Sequence, residues 1–222
     1  MEIHKPKPWH GWREFLKEVG IIVIGVLIAL GAEQTVEALQ WRGKVAIVRK
    51  SILGELANDR ARWELDVVEA RCLSRDIDLL DRRAQEGGSA AAAPTPSGLL
   101  PTGRTLFWMH SASWNLATTS QTLDHFPIGE QLAFAALYDG ITHRQVDIEK
   151  AADLNERVLA LIPLSRDAQG RRELREVLGS LKEKLGSLIR NQAYMERHFD
   201  AANVKPSRTD FAPDIAGSGC SS

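Results

Sequence analysis

Residues Val19 to Ala32 read VGIIVIGVLIALGA, fourteen positions without a polar side chain, and no other stretch of the chain has this pattern. As a helix the run would be about 21 Å long at 1.5 Å per residue. A bilayer core of about 30 Å takes roughly 20 apolar residues. Flanking residues make up the difference: Phe15 and Leu16 lie upstream of Lys17 and Glu18, and Val36, Ala38 and Leu39 lie among Glu33, Gln34 and Glu37 downstream. Lys17 can reach back to the headgroups along its own methylene stem. Trp9, Trp12 and Trp41 bracket the run, as suits a ring that is apolar in body and wet at its N–H. The pattern predicts a transmembrane helix over 19–39, preceded by a basic and aromatic tail over 1–18. Two other readings fit the same run. One is a cleaved signal peptide, with Lys5, Lys7, Arg13 and Lys17 as its basic region and Ala29-Leu30-Gly31 as the cleavage site, although Glu14 and Glu18 are out of place in it. The other is a buried core helix, which would normally show a polar face that this run lacks.

Beyond the run the periodicity turns amphipathic. Val45, Val48, Ile52, Leu56, Trp63, Val67, Ala70, Leu73, Ile77 and Leu80 recur near helical spacing, with no proline between Glu33 and Gln85. One long helix is expected there, with Arg, Asp and Glu on a solvated opposite face. Gly87 to Gly103 (GGSAAAAPTPSGLLPTG) is uncharged and rich in breakers, so 87–103 reads as a linker loop. An apolar patch, Leu106 to Met109, leads into a short Ser/Thr-rich helix over 111–123 that Pro127 ends. A helix follows over 128–162, weakened at Gly140 and ended by Pro163. Over 171–199, Leu174, Leu178, Leu181, Leu185, Leu188, Gln192, Met195 and Phe199 alternate by four and three, the seam of a helix packed on other helices. The tail over 203–222 shows no periodicity and is expected to be disordered. No alternating strands occur. The fold class is all-α: an N-terminal transmembrane helix followed by an antiparallel helix bundle over 40–202.

The stretch EVGIIVIGVLIAL at Glu18–Leu30, followed by Glu33-Gln34 and Trp41, resembles the opening of a group of uncharacterised bacterial proteins. These have one N-terminal membrane helix of the pattern E-x-x-x-V-x-I-G-V-L-I-A-L and then a helical domain. The aromatic and hydroxyl residues from Ser113-Trp114 to Ser120 are a second, weaker likeness. The resemblance covers about a fifth of the chain. It implies topology and a bacterial inner-membrane location, and no activity.

Charge and chemistry then narrow the reading. Lys plus Arg number 28 and Asp plus Glu 29, a net charge of -1 that lacks the basic excess of a nucleic-acid binder. Basic residues flank the apolar run equally, but Arg13 and Lys17 lie nearer to it, which favours a cytoplasmic N-terminus and an extracytoplasmic bundle. Two cysteines, Cys72 and Cys220, make neither a disulfide framework nor a four-cysteine zinc site, and Cys72 reads as a small packed residue. Asp139, His143 and Asp147 fall at i, i+4 and i+8 on one helix face, where a carboxylate–imidazole stripe could contribute to a metal site or simply face solvent. Gly25 and Ala29 form a small-xxx-small pair of the kind that lets membrane helices approach closely. No phosphate loop, zinc motif or nucleophile elbow occurs, so no catalytic residue, metal or cofactor is expected. The expected function is non-enzymatic: a single-pass membrane-anchored helical module for interaction or assembly, with the lipid bilayer and a second copy or a membrane protein as partners. The alternative is a ligand-sensing bundle with a site near Leu106–Met109 and the Ser/Thr-rich helix.

Overall fold

The computed structural model describes residues 11–87 and 109–207. Five α-helices follow in order: α1 over Gly11–Gln85, α2 over Ala112–Thr119, α3 over Ile128–Leu161, α4 over Ala168–Arg190 and α5 over Gln192–Ala201. The fold is all-α. Two compact units divide it, Met1–Ile47 and Val48–Ser222, with the boundary falling inside α1. The described part of the 1–18 tail, from Gly11 on, is helical and belongs to α1 rather than preceding it.

In the first unit the side chains of the apolar run are exposed. Ile21, Ile22, Ile24, Leu27 and Ile28 are 71%, 65%, 58%, 62% and 68% exposed, and together they point to every side of the helix. The buried-core reading of the run is therefore overturned. By length and composition α1 can cross a membrane. At its polar end Trp41 donates its ring N–H to Glu37 (3.3 Å), and the Lys44 ammonium lies over the Trp41 ring at 4.4 Å.

The second unit packs three long helical rods. Arg49 pairs with Glu130 (2.8 Å), Tyr138 donates to Glu55 (2.6 Å) and Arg144 pairs with Asp66 (2.8 Å). Both residue numbers rise together, so α1 and α3 run in the same direction. Asp81 meets Arg175, Asp78 meets Lys182, Arg71 meets Gln192 and Arg60 meets Asp200, so α4 and α5 run antiparallel to α1. The chain re-enters the described region at Met109, beside Asp59. That is about 40 Å back along α1 from Gln85, at 1.5 Å per residue. This return is what makes α1 and α3 parallel. The core lies between the rods: Ala70, Ile77 and Leu80 from α1, Ile148, Ala151 and Val158 from α3, and the leucine seam of α4.

The expected single helix over 171–199 is two. It breaks at Asn191, and Gln192, the one polar member of the seam, begins α5. Gln192 accepts from Arg71 (2.9 Å) and donates to Glu196 (2.6 Å), so the polar seam residue is paired on both sides. The end of α5 is closed by Asn203 in the left-handed region (φ 54°), with Val204 N–H donating to Phe199 C=O and Asn203 N–H to Asp200 C=O. Val204 is buried, and Ser207 N–H donates to Ala57 C=O (2.9 Å). Residues 203–207 are thus ordered against α1, contrary to the expected disorder, and the rest of that tail lies outside the described residues. So does the linker loop beyond Gly87.

Two glycines mark close approaches. Gly140, read from the sequence as a weak point of α3, leaves room for the Met195 thioether of α5 where a side chain would stand. Gly170 lies in the first turn of α4, where Asp167 accepts its N–H (2.8 Å), and a β-carbon there would run into the Leu164 carbonyl. Backbone cannot yield as a side chain end can. Gly170→Ala is expected to destabilise the bundle by about 1–3 kcal/mol despite the better helix propensity of alanine. A chemical denaturation midpoint equal to wild type would overturn this.

Candidate functional site

The apolar spacing along α1 has two gaps. Between Ile52, Leu56, Trp63 and Ala70, each fully buried or nearly so, the four-and-three alternation passes through positions 59 and 66, and both are aspartates. They were expected on the solvated face. Both are instead 0% exposed, because the spacing puts them on the seam itself. α3 has the matching interruption: between Ile141 and Ile148 the seam passes through Arg144, 3% exposed. A charged residue standing where the periodicity asks for an apolar one was the signal in the sequence.

Arg144 donates to Asp66 (2.8 Å), and its guanidinium carbon lies 4.0 Å from the centre of the Trp63 ring. Burial pushes the Arg144 guanidinium down, and the facing Asp66 carboxylate works against that shift. The guanidinium stays charged, since its ordinary value lies so far above neutrality. Its Nε and Nη1, and the Trp63 Nε1, have no hydrogen-bond partner among the described residues.

One turn back along α1, Asp59 and Glu55 face the start of α2. His110 N–H donates to both Asp59 oxygens (3.1 and 3.3 Å). Ser113 N–H donates to Glu55 Oε2 (3.0 Å), and the Tyr138 hydroxyl donates to Glu55 Oε1 (2.6 Å). Ser111, at the N-cap of α2, makes no capping bond with its own side chain. Glu55 therefore satisfies an orphan N–H of α2 from another helix, and its negative charge suits the positive end of the helix dipole. Trp114 stacks on Tyr138 with ring centres 5.0 Å apart. Arg62 donates to His110 Nδ1 (2.6 Å); since arginine only donates, that ring nitrogen is the acceptor. Burial raises the Asp59 carboxyl to about 7, further raised by Glu55 and opposed by the His110 N–H and by Arg62. Burial also raises the Tyr138 hydroxyl, as does its bond to Glu55.

The residues singled out from the sequence lie elsewhere. Asp139 and His143 share an exposed stripe of α3, 3.5 Å apart, with the His143 ring also bonded to the Asp139 carbonyl at 2.9 Å. Asp147 turns to α4 and meets Lys184 (3.2 Å) and Ser187 (3.3 Å). Among the described residues no three His, Cys, Asp or Glu side chains gather as a metal site would need. Gly25 and Ala29 are exposed, and nothing in the chain comes within 4 Å of where a side chain at Gly25 would point. Thr118, Thr119 and Ser120 bond back to carbonyls of their own helix. Of the Leu106–Met109 patch only Met109 lies among the described residues. Cys72 is buried and disulfide-bonded, rather than a free packed thiol. The other cysteine of the chain, Cys220, lies outside the described residues.

No family model matches this chain, and neither curated proteins nor solved structures give a match. The class that the fold defines is a helical protein with one N-terminal apolar helix able to cross a membrane.

Proposed function

We propose that the protein is a single-pass membrane-anchored helical module that serves interaction or assembly and is not an enzyme. The carrying observation is the run Val19–Ala32. It is apolar on every side and exposed on every side, and it is helical without a break into the bundle. In water such a surface would be costly; in lipid it is the ordinary surface of a spanning helix. Arg13 and Lys17, the basic residues nearest the apolar run, favour a cytoplasmic N-terminus and an extracytoplasmic bundle.

The test is alkaline carbonate extraction of membranes that contain the full chain, with the product sized on a gel. Full-length protein in the pellet is the expected result. Soluble product shorter by about thirty residues would mean a cleaved signal and would overturn the anchor.

A further inference from the structure

α2 is lightly held. Ala117 is its one buried side chain, and Leu116 is 58% exposed. Thr118 and Thr119 bond back to carbonyls of their own helix rather than to a neighbour. What fastens it to α1 and α3 sits at its leading end: the His110 and Ser113 amides on Asp59 and Glu55, the Ser113 hydroxyl 2.8 Å from the Ser51 hydroxyl, Arg62 on the His110 ring, and Trp114 on Tyr138. At the trailing end Gln121 adopts φ 56°, a conformation that side chains other than glycine rarely take, and Phe126 is buried edge-on against Phe134. The segment therefore has a polar latch at one end, an apolar anchor at the other, and a bent joint just before the anchor.

The latch contains two carboxylates one helical turn apart. Asp59 is faced by Glu55 and Arg62 from α1, by His110 from the latch and by Tyr138 from α3, with the Asp66–Arg144 pair on the next turn. Arg62 bonds the His110 ring and acts on Asp59 through its charge, and among the described residues no lysine or arginine pairs directly with Asp59. The nearest ring nitrogen, His110 Nδ1, is 3.8 Å away and is already occupied as an acceptor. A protonated carboxyl keeps an oxygen for the His110 N–H and loses the charge that burial and Glu55 oppose.

We propose that Met109–Thr119 is a proton-controlled strap, closed on α1 and α3 while Asp59 is protonated and released as its carboxylate ionises and seeks water. Release frees Trp114 from Tyr138 and uncovers the Glu55–Asp59 face of α1. That the folded carboxyl is held at about 7 puts the change near neutral pH.

Hydrogen exchange of the full chain in detergent, read on peptides covering 109–119 and corrected for the intrinsic pH dependence of exchange, tests this. Protection of the strap is expected to fall about tenfold per pH unit between pH 5 and 7 and to level off above pH 8. The seam of α4 should keep its protection throughout. Asp59→Asn, which retains an oxygen for the His110 N–H, should abolish the pH dependence, and His110→Gln should leave it in place. Strap protection that is flat across this range would overturn the proposal. So would a loss shared equally by α4, which reports global unfolding, or a slope that follows His110 instead of Asp59. If Asp59→Asn does not fold, the strap-to-α4 comparison in wild type and His110→Gln decides alone.

Discussion

Replacing Asp66 by alanine is expected to destabilise the bundle by about 3–5 kcal/mol, because it strands a buried guanidinium. Arg144 is 3% exposed and already has two nitrogens, Nε and Nη1, without an acceptor among the described residues, so Asp66 is its principal compensation. The Trp63 face supplies a further attraction, but a ring quadrupole is no substitute for a carboxylate at 2.8 Å. Arg144→Met should also destabilise the bundle, by taking the guanidinium away from the buried Asp66 carboxylate. The paired variant Asp66→Leu with Arg144→Met should recover most of the loss, since matched apolar groups avoid the desolvation that both ions suffer. In a unit of this size the single variants should melt roughly 6–20 °C below wild type. Thermal unfolding followed by far-ultraviolet circular dichroism, on the full chain in detergent, gives the comparison. Single variants that melt with wild type would mean the pair is solvated and of little energetic weight. A double variant as unstable as the singles would mean that the pair sets the packing geometry beyond its charges.

Asp59 is expected to make the protein less stable as the pH rises. Its carboxyl is held at about 7 in the folded chain against an ordinary 3.8. The folded state therefore binds the proton more strongly than the unfolded state. The stabilisation this gives is fully present below about pH 4 and is lost as the pH rises to about 7, at about 1.4 kcal/mol per pH unit. Over the whole window the loss reaches up to about 4 kcal/mol, limited to the docking energy of the strap if the strap opens first. Asp59→Asn should remove this slope and be the more stable protein at pH 8, with the advantage shrinking as the pH falls towards 4. Denaturant unfolding of both proteins from pH 4.5 to 8 measures it. Parallel curves would show that Asp59 does not titrate in this range.

These two expectations rest on the same feature, a strip of polar residues inside a seam that is otherwise apolar. Glu55, Asp59 and Asp66 share it with Ile52, Leu56 and Trp63 on α1, and Tyr138 and Arg144 face them from α3. Each polar group there meets a group from another segment of the chain. The seam thus specifies which turn of α3 stands beside which turn of α1, whereas a run of leucines could slip by a turn at modest cost.

Local pattern alone carried the existence of each long helix, because amphipathic spacing, proline stops and a fourteen-residue apolar run are properties of neighbouring residues. It also carried the all-α class and the apolar stretch that can cross a membrane. The direction of α3 relative to α1 was beyond it, since that depends on where the chain returns after Gly87, and a linker of that length permits either sense. The break at Asn191 was visible only as the odd glutamine in the leucine seam, and its meaning depended on Arg71, which lies 121 residues away in the chain. Asp59, Asp66 and Arg144 looked like surface charge, because a carboxylate reads as solvated until its partner is known. The tertiary structure decided their roles: each of the three is buried only because a donor or acceptor from a distant segment faces it, and no local spacing encodes that meeting.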